Sequence, residues 1–139
     1  MEDGISVASS LWIEAGAMSG GSRNQVEFAE ELATFFGPPV FAAQLITVQT
    51  PNKTFEGCTF SAKTTTFGVQ IWRLSLPTES KSGLSYPGKI IHFTRTKSPV
   101  FFKLSVADMD SERALEWNDL ASANGVTSAT SGSRRYGYY

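Results

Sequence analysis

The feature that most constrains this fold is a succession of short segments rich in β-branched and aromatic residues, separated by turns that contain glycine or proline. Such residues favour strands, and many strands at close, turn-punctuated spacing are typical of barrels and sandwiches. We favour an open or partly closed barrel, because closure removes exposed strand edges. The predicted strands, about seven in all, cover residues 11–15, 25–29, 40–49, 54–66, 67–74, 89–95 and 100–106.

Local patterns refine this mostly β prediction. Gly57 lies inside a predicted strand and indicates a β-bulge. Aromatic residues within 134–139 suggest a final strand that pairs with the sheet. One clear helix precedes it, with Asp108 or Asp110 as the predicted cap, and residues 30–36 could form a second, short helical turn. The apolar stripe of the clear helix comprises Ala114, Trp117 and Ala121.

Size and composition indicate a single domain, residues 1–139. That length is close to the commonest domain size, and 41% hydrophobic residues provide a core. Cys58 is the only cysteine, which excludes an internal disulfide. No segment approaches the roughly 20 apolar residues of a membrane span, and the acidic start does not resemble a signal peptide. We therefore expect a cytoplasmic protein that does not contact membranes.

The charges are unevenly distributed, although the formal net charge is only −1. Residues 1–31 contain six acids and one base, whereas residues 81–103 contain five bases and no acid. A local basic surface can attract an anionic partner whatever the net charge. The composition therefore permits nucleic-acid binding without indicating it strongly.

Catalytic chemistry is not evident in the sequence. His92 is the only histidine, and its apolar neighbours favour a structural role inside a strand over a catalytic or metal-binding one. The tripeptide Glu79-Ser80-Lys81 matches part of a metal-dependent nuclease motif but lacks the acid on a preceding strand. Gly20-Gly21-Ser22 lacks the rest of a P-loop. We expect no catalytic residue, metal or cofactor in this chain.

Two polar segments carry recognition chemistry. The first comprises Ser22, Arg23, Asn24 and Gln25. Arginine can bind a guanine edge in a fork, and asparagine or glutamine can bind adenine in the same way, although an ordinary polar turn has the same composition. The second is the long loop between prolines near residues 77–89, where several side chains could contact bases or phosphates. These are Glu79, Ser80, Lys81, Ser82, Tyr86 and Lys89.

The start and end of the sequence resemble a known family. Leu11-Trp12-Ile13-Glu14, followed by the stretch 20–28, is similar to the start of the B3-like DNA-recognition domains of phospholipase-D-type restriction endonucleases, a class of bacterial restriction-modification enzymes. The segment 132–137 is similar to the end of the same proteins. The resemblance implies a seven-stranded open pseudobarrel with one or two short helices, which grips the DNA major groove with two projections, an N-arm and a C-arm.

In this chain the N-arm corresponds to residues 19–25, and the C-arm to the loop 77–89 with its flanking strands, one of which carries Arg73. Cleavage in the family belongs to a separate nuclease domain with an H-x-K motif, which this chain lacks. The resemblance therefore implies a specificity module that is not an enzyme by itself, binds double-stranded DNA and works with a nuclease domain or subunit.

Two other classes of function remain open at the level of sequence. The chain could be a structural β-protein of a phage or virus, such as a tail or capsid component, that assembles through strand edges or a terminal tail. It could also be a barrel that binds a small ligand in an apolar cavity. Assembly without DNA would favour the first alternative, and an interior filled by side chains would argue against the second.

Overall fold

The computed structural model describes residues 8–15, 25–28, 34–36, 44–51, 53–64, 68, 70–98, 100–124, 126–129 and 135–139. Within them the chain forms one sheet of nine strands with two helices and one 3-10 turn. The strands are β1 (Ser10–Glu14), β2 (Gln25–Phe28), β3 (Gln44–Gln49), β4 (Thr54–Thr64), β5 (Gln70–Ser75), β6 (Lys89–Arg95), β7 (Phe101–Asp108), β8 (Val126–Ala129) and β9 (Arg135–Tyr138). The helices are α1 (Glu79–Ser82) and α2 (Glu112–Asn124), and the 3-10 turn is Thr34–Phe36.

The strand order is β2-β5-β4-β3-β7-β6-β1-β9-β8. Neighbouring strands of the described sheet are antiparallel except for β3 and β7, which run parallel. The sheet therefore has β2 and β8 at its two edges. β1 lies between β6 and β9, so it pairs only with strands that follow it at a distance in the sequence.

The sheet curls into an open half-barrel, which confirms the predicted fold class. Four strands separate β2 from β6, and at about 4.8 Å per strand a flat sheet would hold them roughly 24 Å apart. Yet the rings of Phe28 on β2 and Phe93 on β6 lie only 6.2 Å apart. Inward-facing aromatic residues on distant strands therefore meet across one interior.

The 3-10 turn fills that interior. The ring of Phe36 lies 5.0–5.2 Å from those of Phe28, Phe60, Phe93 and Phe102, which come from four different strands. All these side chains are almost completely buried. Burial of one such ring stabilises a fold by about 1.5–3 kcal/mol. Of the predicted helical turn 30–36, residues 34–36 form a 3-10 turn. Its aromatic side chains pack inside the half-barrel.

Helix α2 covers the outside of the sheet. Its predicted apolar stripe is confirmed: Ala114, Trp117 and Ala121 are buried against Trp12 and Ile90. The Trp12 indole N–H donates a hydrogen bond of 3.1 Å to the Trp117 carbonyl. The only polar atom of the buried indole ring therefore has a hydrogen-bond partner within the protein.

The predicted cap of α2 is wrong. The Ser111 hydroxyl accepts a hydrogen bond of 3.2 Å from the Ala114 amide, which is the usual contact of an N-cap serine. Asp108 instead ends β7 and forms an ion pair with Lys89. Asp110 lies in the turn between β7 and Ser111.

The strand prediction missed β8 but found the final strand. β8 pairs with β9, and β9 pairs with β1. At Gly137 of β9, a Cβ atom would lie only 2.6 Å from the ring of Trp12, its partner in register. Glycine is therefore required there by the close approach of a tryptophan ring.

The predicted bulge at Gly57 is confirmed. Ile46 pairs with Cys58 and Val48 pairs with Phe55, so two residues of β4 lie opposite Thr47 of β3. Gly57 has a φ of 76°, the left-handed conformation that glycine adopts without strain at such a bulge. The bulge lets β4 bend as the half-barrel curls.

Candidate functional site

The two predicted arms start from neighbouring positions at one end of the sheet. Gln25, the first residue of β2, pairs with Ser75, the last residue of β5. At the same end β1 stops and β6 starts, because Glu14 pairs with Ile90. We call this the arm end: the end where β1 and β5 finish and where β2 and β6 begin. The described segment 76–88 therefore leaves β5 and enters β6 at this end, where β1 also stops and β2 starts.

The contact between Phe28 and Phe93 relates the start of β2, which follows the N-arm, to the start of β6, which follows the C-arm loop. Phe28 lies three residues after the start of β2, and Phe93 lies four residues after the start of β6. Because these two rings are in contact, the starts of β2 and β6 extend a similar distance from them. Together with the Gln25–Ser75 pair, this contact relates β2 to both strands that flank the C-arm loop.

The N-arm is described only at its last position. Gln25 is exposed on β2. Ser22, Arg23 and Asn24 lie outside the described residues, so their predicted contacts stay predictions. In the sequence they directly precede Gln25, the residue that pairs with Ser75.

The loop of the C-arm is folded around its own hydrogen bonds. The Ser82 hydroxyl donates to the Thr78 carbonyl at 2.9 Å and accepts from the Leu84 amide at 3.1 Å. The Tyr86 hydroxyl donates to the Pro77 carbonyl at 2.7 Å. Tyr86 is 1% exposed, and its burial raises the pKa of its phenol.

Two predicted contact residues are therefore structural. Ser82 and Tyr86 are buried and hydrogen-bonded within the loop, so neither hydroxyl faces a partner. The reason is loop closure: Tyr86 reaches back nine residues and ties the end of the loop to its beginning. The helical turn α1 is held between these two points.

The other predicted C-arm residues differ in their surroundings. Lys81 is exposed at the end of α1. Lys89 begins β6 and pairs with the Asp108 carboxylate, so part of its charge is already compensated. Arg73 is half-buried on β5, between Glu27 of β2 and Ser61 of β4 in register. For Glu79 and Ser80 the structure gives the α1 backbone position only.

Lys53 is a further cation at the arm end that the sequence did not single out. It lies in the turn between β3 and β4, and its side chain is exposed. Hydrogen bonds join the two ends of the turn: the Thr50 amide donates to the Lys53 carbonyl at 2.8 Å, and the Lys53 amide donates to the Thr50 hydroxyl at 3.1 Å. The predicted strands 40–49 and 54–66 leave a gap for this turn, but only the strand order shows which end of the sheet it occupies.

A hollow of about 240 Å³ lies between the β4 bulge and the root of the C-arm. One wall is the start of β4, and the other is the chain that leaves β5. The lining residues are Phe55, Glu56, Gly57, Cys58, Thr59, Ser75, Leu76, Pro77, Thr78 and Lys81. The lining therefore combines hydroxyl-bearing residues and the cationic Lys81 with apolar residues such as Phe55 and Leu76.

His92 lies in the part of the sheet that packs against α2, together with Trp12 and Tyr139. We call this part the wall under α2. The His92 ring stacks on that of Trp117 at 4.3 Å, and its Nε2 hydrogen-bonds the Tyr139 hydroxyl at 2.9 Å. Burial, together with the nearby charge of Arg113, lowers the pKa of His92 to about 4. These contacts agree with the structural role predicted for this histidine.

Among the described residues no group of three or more His, Cys, Asp or Glu side chains is placed to hold a metal ion. None of the described helices has the length and apolarity to cross a membrane.

Comparison with known proteins adds no relative. No protein-family model matches the sequence, and a search of curated proteins finds no significant match. The resemblance to B3-like domains therefore rests on the sequence segments described above.

Proposed function

We propose that this chain recognises double-stranded DNA in a sequence-specific manner through its arm end, as the specificity module of a restriction endonuclease whose nuclease lies on another domain or subunit. The proposal rests on one observation: Gln25 pairs with Ser75, so the two predicted arms arise side by side. Two projections from one end of a small β-domain can enter a groove together, which two projections from opposite ends could not.

The closed loop of the C-arm also supports this function. Binding costs less when the contacting segment is already ordered. The hydrogen bonds of Ser82 and Tyr86 hold α1 in place before any partner arrives. Lys81 is thus presented from a fixed turn, and we assign Ser82 and Tyr86 to the support of this surface.

The contact surface that we propose is accordingly smaller than the one predicted from sequence. It comprises Ser22, Arg23, Asn24, Gln25, Arg73, Glu79, Ser80, Lys81 and Lys89. The side chains of Ser82 and Tyr86 are left out because they are buried. Sequence is read from base edges, whereas contacts to phosphate fix the position of the protein.

The small-ligand alternative has less support. In the described part of the chain the half-barrel interior is filled by packed aromatic rings around Phe36. An apolar ligand would have to displace these rings. No observation favours the structural phage or viral alternative over DNA recognition.

The test is selection of bound sequences from a random duplex pool, followed by titration of the enriched duplex and of a scrambled one at fixed salt. We expect an enriched motif and a preference of at least about a thousandfold for it, as in typical specific complexes. Enrichment of no motif, together with equal affinity for both duplexes, would contradict the proposal. Self-assembly of the pure chain without DNA would favour the structural alternative.

A further inference from the structure

We propose that the β3–β4 hairpin is a third DNA contact, in which the hollow beside the Gly57 bulge receives the sugar–phosphate backbone between Lys53 and Lys81. This inference rests on the proposed function and adds to it an element that lies outside both arms. It concerns backbone binding, which fixes the position of the protein and carries no base preference.

The hollow is placed where a bound duplex would pass. Its lining includes Ser75, the register partner of Gln25, and Pro77, the first residue of the predicted C-arm loop. A duplex that contacts both arms therefore lies next to the hollow. At about 240 Å³ the hollow is below the roughly 300–1,000 Å³ of small-molecule sites, so it suits part of a larger ligand.

Gly57 keeps the hollow accessible. A Cβ atom built on Gly57 would have no heavy atom within 4 Å, so the space above its backbone is open. Glycine inside a strand often marks a place where a ligand approaches the backbone closely. Gly57 also lines the hollow, so a side chain at this position would add atoms at its edge.

The charges and polar groups fit a phosphodiester. The Lys53 ammonium lies 5.6 Å from the centre of the Phe55 ring, which lines the hollow, and Lys81 lines it from the C-arm side. The hydroxyl-bearing residues Thr59 and Thr78 are also in the lining. Glu56 is the one acid in that lining, and its charge opposes a phosphate.

The first experiment measures the salt dependence of cognate-duplex binding. Each phosphate neutralised contributes about −0.9 to the slope of log Kobs against log salt concentration. We expect Lys53→Ala to make the slope shallower by about 0.9. The matched control is Lys97→Ala, another exposed lysine, in the turn at the other end of β6, and it should leave the slope unchanged. Equal slopes for Lys53→Ala and the parent overturn the inference.

The second experiment adds a side chain at the Gly57 edge of the hollow. Asparagine tolerates positive φ better than most residues, so Gly57→Asn adds a side chain with little backbone cost. We expect cognate affinity to fall about tenfold. Gly68→Asn is the control: Gly68 has a φ of 80° and equally open surroundings, but it lies at the other end of β5. Melting curves of both variants show whether each is folded.

The outcomes separate this inference from the proposed function. If the parent selects a motif while Lys53→Ala and Gly57→Asn bind like their controls, the hairpin contact is wrong and the arms remain. If the parent binds no duplex, both proposals fail. If Gly57→Asn does not fold, the slope of Lys53→Ala alone decides.

Discussion

The arm end and the wall under α2 use polar side chains in opposite ways. At the wall, the polar atoms of Trp12, His92 and Tyr139 are paired with protein groups. At the arm end, Gln25, Lys53 and Lys81 are exposed. The comparison teaches that polarity alone does not identify a binding residue. What matters is whether the fold has already supplied the partner.

The five bases between residues 81 and 103 also differ in whether the fold already supplies them with a partner. Arg95 lies over the ring of Phe35 at 4.4 Å and donates to the Ala8 carbonyl at 2.5 Å, and burial lowers its pKa. Lys89 is paired with Asp108. Of the five bases between 81 and 103, Lys81 is therefore the clearest candidate for an incoming phosphate at the arm end. The run of bases in the sequence therefore did not predict which of them lie together on one surface of the protein.

The largest effect that we expect comes from the wall. In Gly137→Val the new side chain overlaps the Trp12 ring, since even a Cβ would lie 2.6 Å from it. We expect a loss of about 3 kcal/mol or more in the free energy of unfolding. Urea unfolding measures this loss, and DNA preference at low temperature should persist in whatever fraction stays folded. A loss of preference without a loss of stability would contradict the division between wall and arm end.

The wall should also respond to pH. The pKa of His92 is lowered to about 4, so the folded state favours the neutral ring. The folded protein then binds fewer protons than the unfolded chain, and stability decreases as pH falls from about 6.5 towards 4. The full loss is about 3 kcal/mol. Unfolding by urea at several pH values checks this, with His92→Phe as the comparison that should lack this component. A parallel pH dependence in parent and variant would argue against it.

At the arm end we expect binding to change and stability to stay. Arg23→Ala should cost about 1–3 kcal/mol with the cognate duplex and little with a scrambled one, as expected for loss of a forked contact to guanine. Lys97→Ala should bind both duplexes like the parent. Titration of each variant at one salt concentration makes the comparison. If Arg23→Ala binds like the parent while Lys97→Ala loses the cognate site, the arms are wrongly assigned.

The smallest effect should come from Tyr86, whose hydroxyl is paired with a protein group as at the wall, although the residue belongs to the C-arm. Tyr86→Phe removes only the hydroxyl that closes the C-arm loop. We expect a cost of about 1 kcal/mol in stability, and weaker binding with unchanged base preference. Motif selection with the variant tests this. A changed motif would mean that the Tyr86 hydroxyl contacts DNA after the loop opens.

The sequence predicted those parts of the fold that depend on local pattern. The apolar stripe of α2, the bulge at Gly57 and the final strand follow from residue type and spacing. β8 was missed because its sequence, Val-Thr-Ser-Ala, lies in a stretch of small polar residues and becomes a strand only by pairing with β9. The cap is Ser111 and not an aspartate, and the sequence could not decide this because Asp108, Asp110 and Ser111 are all capping residue types within four positions.

The candidate site was harder to predict, because its residues depend on long-range placement. Nothing local in the sequence indicates that the Tyr86 hydroxyl reaches Pro77. The position of Lys53 beside the C-arm follows from the β3-β4-β5 order and from the bulge. Local sequence identified the polar segments, whereas topology decided which side chains reach the surface together.

The position of β1 has a consequence for how fast this protein folds. Its two neighbours, β6 and β9, follow it by about 80 and 125 residues, as the pairs Trp12–His92 and Trp12–Gly137 record. Pairings of such long range require closure of large loops before they gain any stability, and they slow folding. A chain emerging from the ribosome must therefore keep Leu11, Trp12 and Ile13 unpaired until most of the sequence has been made. Chaperones that bind short apolar segments would encounter β1 during that interval.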